Sequence, residues 1–220
     1  MDKSILLVEG RCEKRFYKAL CQRLNFPHVT VQTPRGCSEF EGNILEPIPL
    51  LLSNVLKQVA DNSIHQLGII VDADYSGING GFAERWQQIT QVLQRANYIT
   101  DDLPHHAYTG SIFEHSDGLP PIGLWIMPNH FDDGVLEDFI KSSIQDKTSF
   151  KIAEKYVKQL PNPLFAPYQL SQVVVYTWLA WQQNPSQELA ATIQSKTNLL
   201  DLQSQSIQTF GHWLNCVFGE

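Results

Sequence analysis

An apolar stretch, LGIIVDADYSG at 67–77, ends in two acids, Asp72 and Asp74, with only Ala73 between them. On a β-strand, side chains two apart leave the same face, so the pair would point together while Ala73 points away and leaves room. A second apolar stretch, SILLVEG at 4–10, also ends in an acid, Glu9, beside a glycine turn. In open α/β sheets, ligands sit beyond the carboxyl ends of the strands, where the strand order reverses. If these two strands are neighbours, three carboxylates from distant positions meet in one crevice. Like charges repel there unless something neutralises them. Mg²⁺ or Mn²⁺ suits such a set, because a hard cation takes oxygen ligands and keeps several waters. A strand-end Asp that merely caps the next helix or closes a turn is the competing account. Glu9 weighs against it, because it puts a second charge where an apolar strand should simply turn.

A third stretch adds to the set. DDGVLEDFI at 132–140 places Glu137 and Asp138 on a helix at the same end of the sheet, and Glu13 lies one turn after Glu9. Asp132 and Asp133 read as capping or loop acids just before that helix. Taken alone, Glu137 reads as a solvated helix residue.

The elements that must position these groups follow from the hydrophobic pattern. Strands are expected over 4–10, 28–34, 65–74 and 120–128. Helices are expected over 12–24, 46–61, 82–97 and 134–144, each with an apolar stripe such as Phe82, Trp86, Ile89 and Leu93. YSGINGG at 75–81 reads as a flexible turn, lacking the Gly-Lys-Ser/Thr of a phosphate-binding loop. Residues 34–43 and 101–118 read as polar loops. Strands alternating with helices, and apolar on both faces, indicate a mostly parallel, four-stranded, Rossmann-like sheet flanked by helices. From about 147 only helical patterns occur: 149–160, 170–184, 185–194 and 208–218. The expected organisation is therefore an α/β domain over 1–145 and a helical C-terminal extension over 146–220 packed on it. The helix around VVVYTWLAW is apolar nearly all round, which suits the core or, second, a homodimer seam.

Composition narrows the function classes. The chain has 220 residues, with 16 Lys+Arg against 23 Asp+Glu and a net charge of -7. Strong nonspecific binding to nucleic acid calls for a basic face, so any phosphate contact must be local or helped by metal ions. No apolar run approaches the roughly 20 residues that span a bilayer. The start, MDKSILLVEG, lacks a basic n-region, and no membrane association is expected. The expected location is therefore the cytoplasm, and Cys12, Cys21, Cys37 and Cys216, which show no metal or disulfide spacing, read as reduced thiols in a reducing compartment. The histidines form no metal-spaced cluster. His105 and His106 read as exposed, and His130 as a surface-loop residue rather than a proton donor. Tyr75 reads as a turn tyrosine packed on the sheet.

LLVEGRCEKRFY, IIVDAD and GVLEDFI, in this order and on these elements, resemble the Toprim domain of primases, topoisomerases, recombination proteins and OLD-family nucleases. The tail, YTWLAWQQNPSQELAATI with FGHWLNCVF, is similar to the C-terminal signature of a mostly bacterial Toprim-like family of similar length, so the resemblance covers essentially the whole chain. It implies a compact parallel sheet with strand order close to 2-1-3-4. It also implies that Glu9 is the general acid/base or metal-linked glutamate and that Asp72 and Asp74 hold Mg²⁺. By the same resemblance, Glu13 and Glu137 match the acids that hold a second metal in OLD-type nucleases. Two metals roughly 4 Å apart clamp both the attacking and the leaving oxygen of a phosphodiester.

Two departures stand out: no ATPase module precedes the motifs, and the lysine that such nucleases use is not singled out among Lys147, Lys151 and Lys155, which follow the third motif. The resulting expectation is a Mg²⁺- or Mn²⁺-dependent nuclease acting on DNA or RNA. The alternatives are a non-catalytic regulatory module that binds a protein partner such as an ATPase, and a hydrolase of a small phosphorylated molecule, which suits an acidic protein.

Overall fold

The computed structural model describes residues 3–33, 55–61, 63–106, 109–185, 187–194 and 199–219. The loop expected at 34–43, Cys37 and the first part of the helix expected over 46–61 lie outside the described residues.

The chain runs β1 (Ser4–Leu7), α1 (Arg11–Arg23), β2 (Thr30–Gln32), a helical segment at 55–60 (α2), β3 (Gln66–Asp72), α3 (Phe82–Arg95), β4 (Ser111–Phe113), β5 (Ile122–Met127), α4 (Leu136–Ser143), α5 (Lys147–Lys158), α6 (Leu170–Ala180) and α7 (Gln205–Phe218). The sheet has five strands in the order β2-β1-β3-β5-β4. β1 pairs in parallel with β2 and β3, β3 with β5, and β4 closes the far edge antiparallel to β5. The four expected strands are thus parallel neighbours, and β4 is an addition. Its three residues carry too little periodicity to stand out from the polar stretch around them.

Alternation along the strands sends residues into two apolar layers. Ile5, Leu7, Ile69, Val71, Leu124 and Ile126 face α3, whereas Leu6, Val8, Ile70, Trp125 and Met127 face α1 and the C-terminal helices. Both faces are buried, which explains the near-continuous apolar runs. Residues of α4, α5, α6 and α7 share one cluster with those of β1, α1 and β5.

The docking of α7 rests on two glycines. Gly68 of β3 and Gly123 of β5 are register partners. A Cβ on Gly68 would lie 2.9 Å from Phe218 Cζ, and one on Gly123 would strike Val217 and come within 3.1 Å of Trp213. The paired glycines make a trough that lets the last helix approach the sheet backbone. The segment expected as a helix over 185–194 is instead a short 3₁₀ turn, Leu189–Thr192. There the Thr192 hydroxyl donates to Leu189 O at 2.6 Å, and such side-chain bonds compete with helix propagation. α6 is half-buried: Val174, Val175, Trp178 and Leu179 are inside, while Tyr176 and Trp181 are exposed. No helix among the described residues is long and apolar enough to cross a membrane.

His130 departs from its expected surface position. It is fully buried, with Phe82, Trp86 and Trp125 ringing it. Ile126 N–H donates to His130 Nδ1 at 3.0 Å, so the proton sits on Nε2, which lies 2.9 Å from Ser111 Oγ. Burial pushes its pKa down to about 3, so the ring is neutral and ties β4 to the turn after β5. Truncation in His130→Ala removes both bonds and leaves a cavity among aromatic rings. We expect a loss of about 2–4 kcal/mol in urea denaturation. A loss below about 1 kcal/mol would show that this pin is dispensable.

Candidate active site at the carboxyl edge of the sheet

The strand order reverses between β1 and β3. From β1 the chain moves outward to β2, then returns to β3 on the other side. Glu9 and Asp72 stand at the ends of these two strands.

Each acid is placed by local structure. β1 gives way to α1 through Glu9 and Gly10, the residue that caps α1. A Cβ on Gly10 would lie 2.5 Å from Glu13 Oε2, so the glycine leaves room for the Glu13 carboxylate to fold back over the turn. Glu9 Oε2 accepts a hydrogen bond from Asp72 N–H at 2.9 Å, just past the end of the β1–β3 ladder. Asp72 Oδ1 in turn accepts from Leu136 N–H at 3.0 Å, the first amide of α4. One carboxylate therefore joins the tip of β3 to the start of a helix 64 residues later. Glu137 follows directly. It is buried, not solvated, because α4 turns its first-turn acid inward.

Asp74 goes elsewhere. β3 ends at Asp72, and Asp74 takes a left-handed conformation with φ of 62°. The strand alternation that would align Asp72 with Asp74 stops there. Asp74 Oδ2 pairs with Arg85 Nη2 of α3 at 2.8 Å, and Oδ1 accepts from Asn79 Nδ2 at 3.0 Å. The backbone of Asp74 exchanges two hydrogen bonds with Gly134, at 2.9 and 2.8 Å, tying the end of β3 to the loop before α4. Arg85 is buried and its Nε also donates to Asp72 O at 3.1 Å. The sequence carries a signal for this arginine: Arg85 lies three residues after Phe82 and four before Ile89, on the buried stripe of α3.

The remaining acids serve the frame. Asp133 caps α3, not α4: its Oδ1 accepts from Phe82 N–H at 2.7 Å and its Oδ2 from Ser76 N–H at 2.9 Å. Asp132 Oδ2 accepts from Asn129 Nδ2, and the Asp132 N–H donates to Asn129 Oδ1. Asp138 reaches back to Val135 N–H at 3.2 Å, one half of a capping box, and also accepts from the Tyr75 hydroxyl at 2.9 Å and the Ser171 hydroxyl at 2.5 Å. Tyr75 is thus a hydrogen-bonded strut to α4.

The electrostatics separate the acids further. Burial, followed by the charges of Glu9, Glu13, Glu137 and Asp74, pushes the Asp72 carboxyl well above its ordinary range. Burial also lifts Glu9 to about 7, against the pull of the Asp72 amide and of Arg85. Glu137 rises to about 7, mainly through burial and then through Glu13. The buried Tyr17 hydroxyl, without a hydrogen-bond partner among the described residues, senses Asp72, Glu13, Glu9 and Glu137 together. Glu9, Glu13, Asp72 and Glu137 therefore form one interacting set, while Asp74 sits at its edge under Arg85.

Among the described residues, no three Asp, Glu, His or Cys side chains are already drawn together at metal-holding distance. The donor chemistry nevertheless fits a hard cation. Glu9 Oε1 and Asp72 Oδ2 accept no hydrogen bond among the described residues, and Glu13 and Glu137 lie within electrostatic reach of Asp72. Carboxylate oxygens of this kind hold Mg²⁺ or Mn²⁺. Lys155 is exposed on α5, and Cys12 is exposed with its thiol pushed up by burial and by Glu13, which disfavours a reactive thiolate.

Fold and site together define an α/β protein with a mostly parallel sheet and crowded carboxylates at the point where its strand order reverses. The chain belongs to the family described as Protein of unknown function (DUF3226), whose model matches residues 3–219. No curated protein and no solved structure matches it.

Raised carboxyl pKa values carry a pH signature. The folded chain holds protons on Glu9 and Glu137 up to about 7, whereas an ordinary glutamate loses them near 4.5. The contribution to stability is complete below the ordinary value and is lost as pH rises through the folded value. His130 acts in the opposite sense as pH falls below its ordinary 6.5, so the informative quantity is a difference between variants. In EDTA, Glu9→Gln should gain on the parent by about 1–3 kcal/mol between about pH 5 and about pH 8, read by denaturant midpoints. A pH-independent difference would mean that Glu9 is not crowded.

Proposed function

We propose that this protein is a divalent-metal-dependent phosphodiester hydrolase of the Toprim type, acting on nucleic acid. The observation that carries the reading is the meeting of Glu9 and Asp72 at the reversal point of the sheet, with Glu13 and Glu137 within electrostatic reach. An α/β sheet places its ligands there. The order of the four parallel strands agrees with the one the Toprim resemblance implies.

Glu9, Asp72, Glu13 and Glu137 would hold Mg²⁺ or Mn²⁺, with Asp74 joining only if it exchanges Arg85 for the ion. When bound, such an ion offsets the charge that builds on the phosphoryl oxygens. The chain supplies the rest. Glu9 Oε1, which accepts no hydrogen bond among the described residues, is placed to take a proton from a water molecule. Arg85 holds the Asp72 carbonyl and the Asp74 carboxylate, so the strand tip keeps its shape as protons move. The Asp72–Leu136 bond fixes α4, and Glu137 with it, against the sheet. The absence of metal-type or disulfide spacing among the cysteines suits a reducing compartment such as the cytoplasm.

Plasmid nicking tests the reading. The parent should convert supercoiled DNA with Mg²⁺ or Mn²⁺ and not in EDTA. Asp72→Asn and Glu9→Gln, checked as folded, should fall by about a hundredfold or more. Parent-level nicking by both variants would remove the proposal.

A second reading has one observation behind it. Ile152, Tyr156 and Leu160 form an exposed apolar row along and just beyond α5, and the Tyr156 ring meets exposed Trp181. Such a row suits a partner-binding module, for instance one serving an ATPase. No metal-dependent activity, together with no heat released on titrating millimolar Mg²⁺ or Mn²⁺, would favour this reading over the enzyme.

A further inference from the structure

We propose that the cleft between α4 and α5 binds a phosphate-bearing ligand of nucleotide size, held by Lys147 and Lys151. The cleft has a volume of about 490 Å³, within the usual range for small-molecule sites. Its rim includes Pro128 and Asn129, which follow β5, and Asp138, the neighbour of Glu137. It therefore opens at the same edge of the sheet as the carboxylates.

The hydrogen bonding of the lining points to an anion. Three acids line the cleft, and each is already satisfied. Asp138 accepts from Tyr75, Val135 and Ser171; Asp132 accepts from Asn129; Glu154 accepts from Lys141 at 3.2 Å and from Lys158 at 2.8 Å. Lys147 and Lys151 are different. Both are exposed, and their ammonium groups make no ion pair or hydrogen bond among the described residues. They stand at i and i+4 at the start of α5, so they project from one face as neighbours. Two like charges so placed repel unless an anion lies between them.

The class of anion follows from the walls. Phe150 and Ile144 supply an apolar side, and both are buried in the core that backs the cleft. A dianionic phosphate would sit between the lysines and a flat, apolar-faced group against that wall. Lysine ammonium groups act as point donors to phosphate oxygens. A mononucleotide, or the terminal nucleotide of a strand, has both parts, and an isolated cleft suits an acidic protein better than a long polyanion track. If the carboxylate edge cuts phosphodiesters, the cleft takes the nucleotide flanking the cut; this placement rests on the preceding reading, but binding itself does not.

Calorimetry in EDTA, with adenosine 5′-monophosphate, inorganic pyrophosphate and adenosine as probes, tests the site without any metal or catalysis. The parent should bind the monophosphate, more weakly as salt rises, and should not bind adenosine. Lys147→Gln with Lys151→Gln should weaken binding at least about tenfold, while Lys155→Gln, off the cleft, should not change it. Nucleotide binding without nicking would keep the cleft and sink the nuclease. The cleft assignment fails if the parent binds nothing at about 10 mM monophosphate, or if the double variant binds unchanged. Pyrophosphate held as tightly as the monophosphate would overturn the nucleoside half of the proposal.

Discussion

Repulsion between carboxylates is the force that the rest of this molecule has to manage. Two like charges 4–6 Å apart cost roughly 3–4 kcal/mol at an effective dielectric near 20. The fold nevertheless brings Glu9, Asp72, Glu13 and Glu137 to one edge of the sheet, from β1, β3, α1 and α4. It offsets part of the cost with two backbone amides, those of Asp72 and Leu136, and with the buried guanidinium of Arg85. Burial first, and this repulsion second, keep protons to near neutrality on Glu9 and Glu137. A site that holds protons where carboxylates ordinarily release them is one where a cation can replace those protons.

The loops around the edge are shaped by this requirement. Asp74 adopts a left-handed backbone, a conformation that Asp tolerates better than most residues. In doing so it leaves the strand, which moves its charge away from Asp72 and under Arg85. The turn that follows closes on itself, with Gly81 N–H donating to Ala73 O at 2.8 Å. Gly80 lies so close to this turn that a Cβ there would stand 2.9 Å from the Ala73 carbonyl oxygen. Asp133 then fastens the turn to the loop before α4 and starts α3. What reads in the sequence as a flexible glycine turn is a clamp between two loops. It sets where the tip of β3 stands relative to α4.

Strand and helix identity was legible because buried parallel strands and amphipathic helices leave strong periodic marks, as in LGIIVD and in the Phe82–Leu93 stripe. The convergence of Glu9 with Asp72 was legible as well, since both end an apolar run at the same end of the sheet. The failures have physical causes. His130 sits between a proline turn and two acids, so its local sequence is polar, while the rings that bury it come from α3 and β5. Asp133 precedes α4 in the chain but caps α3, because the loops lie side by side only once the sheet forms. The Asp72–Ala73–Asp74 spacing predicts a shared face only while the strand lasts, and a single left-handed residue ends that logic. Arg85 was overlooked because a charge beside an apolar stripe is usually solvated; here Asp74 and the Asp72 carbonyl draw it inward.

Charge is also sorted along α4 itself. Glu137 and Asp138 lie in its first turn and Lys141 in its last, the arrangement the helix dipole favours at both ends. This sorting does more than stabilise one short helix. It sets an acidic group at the sheet edge and begins a basic group, continued by Lys147 and Lys151, about one helix length away. A cation attracted to one end and a phosphate attracted to the other would be held on opposite sides of the same few residues. On the proposed reading, α4 is a spacer that fixes the distance between them. Its position in turn depends on the bond from Asp72 to Leu136 N–H, so the residue that anchors the acids also fixes where the lysines begin.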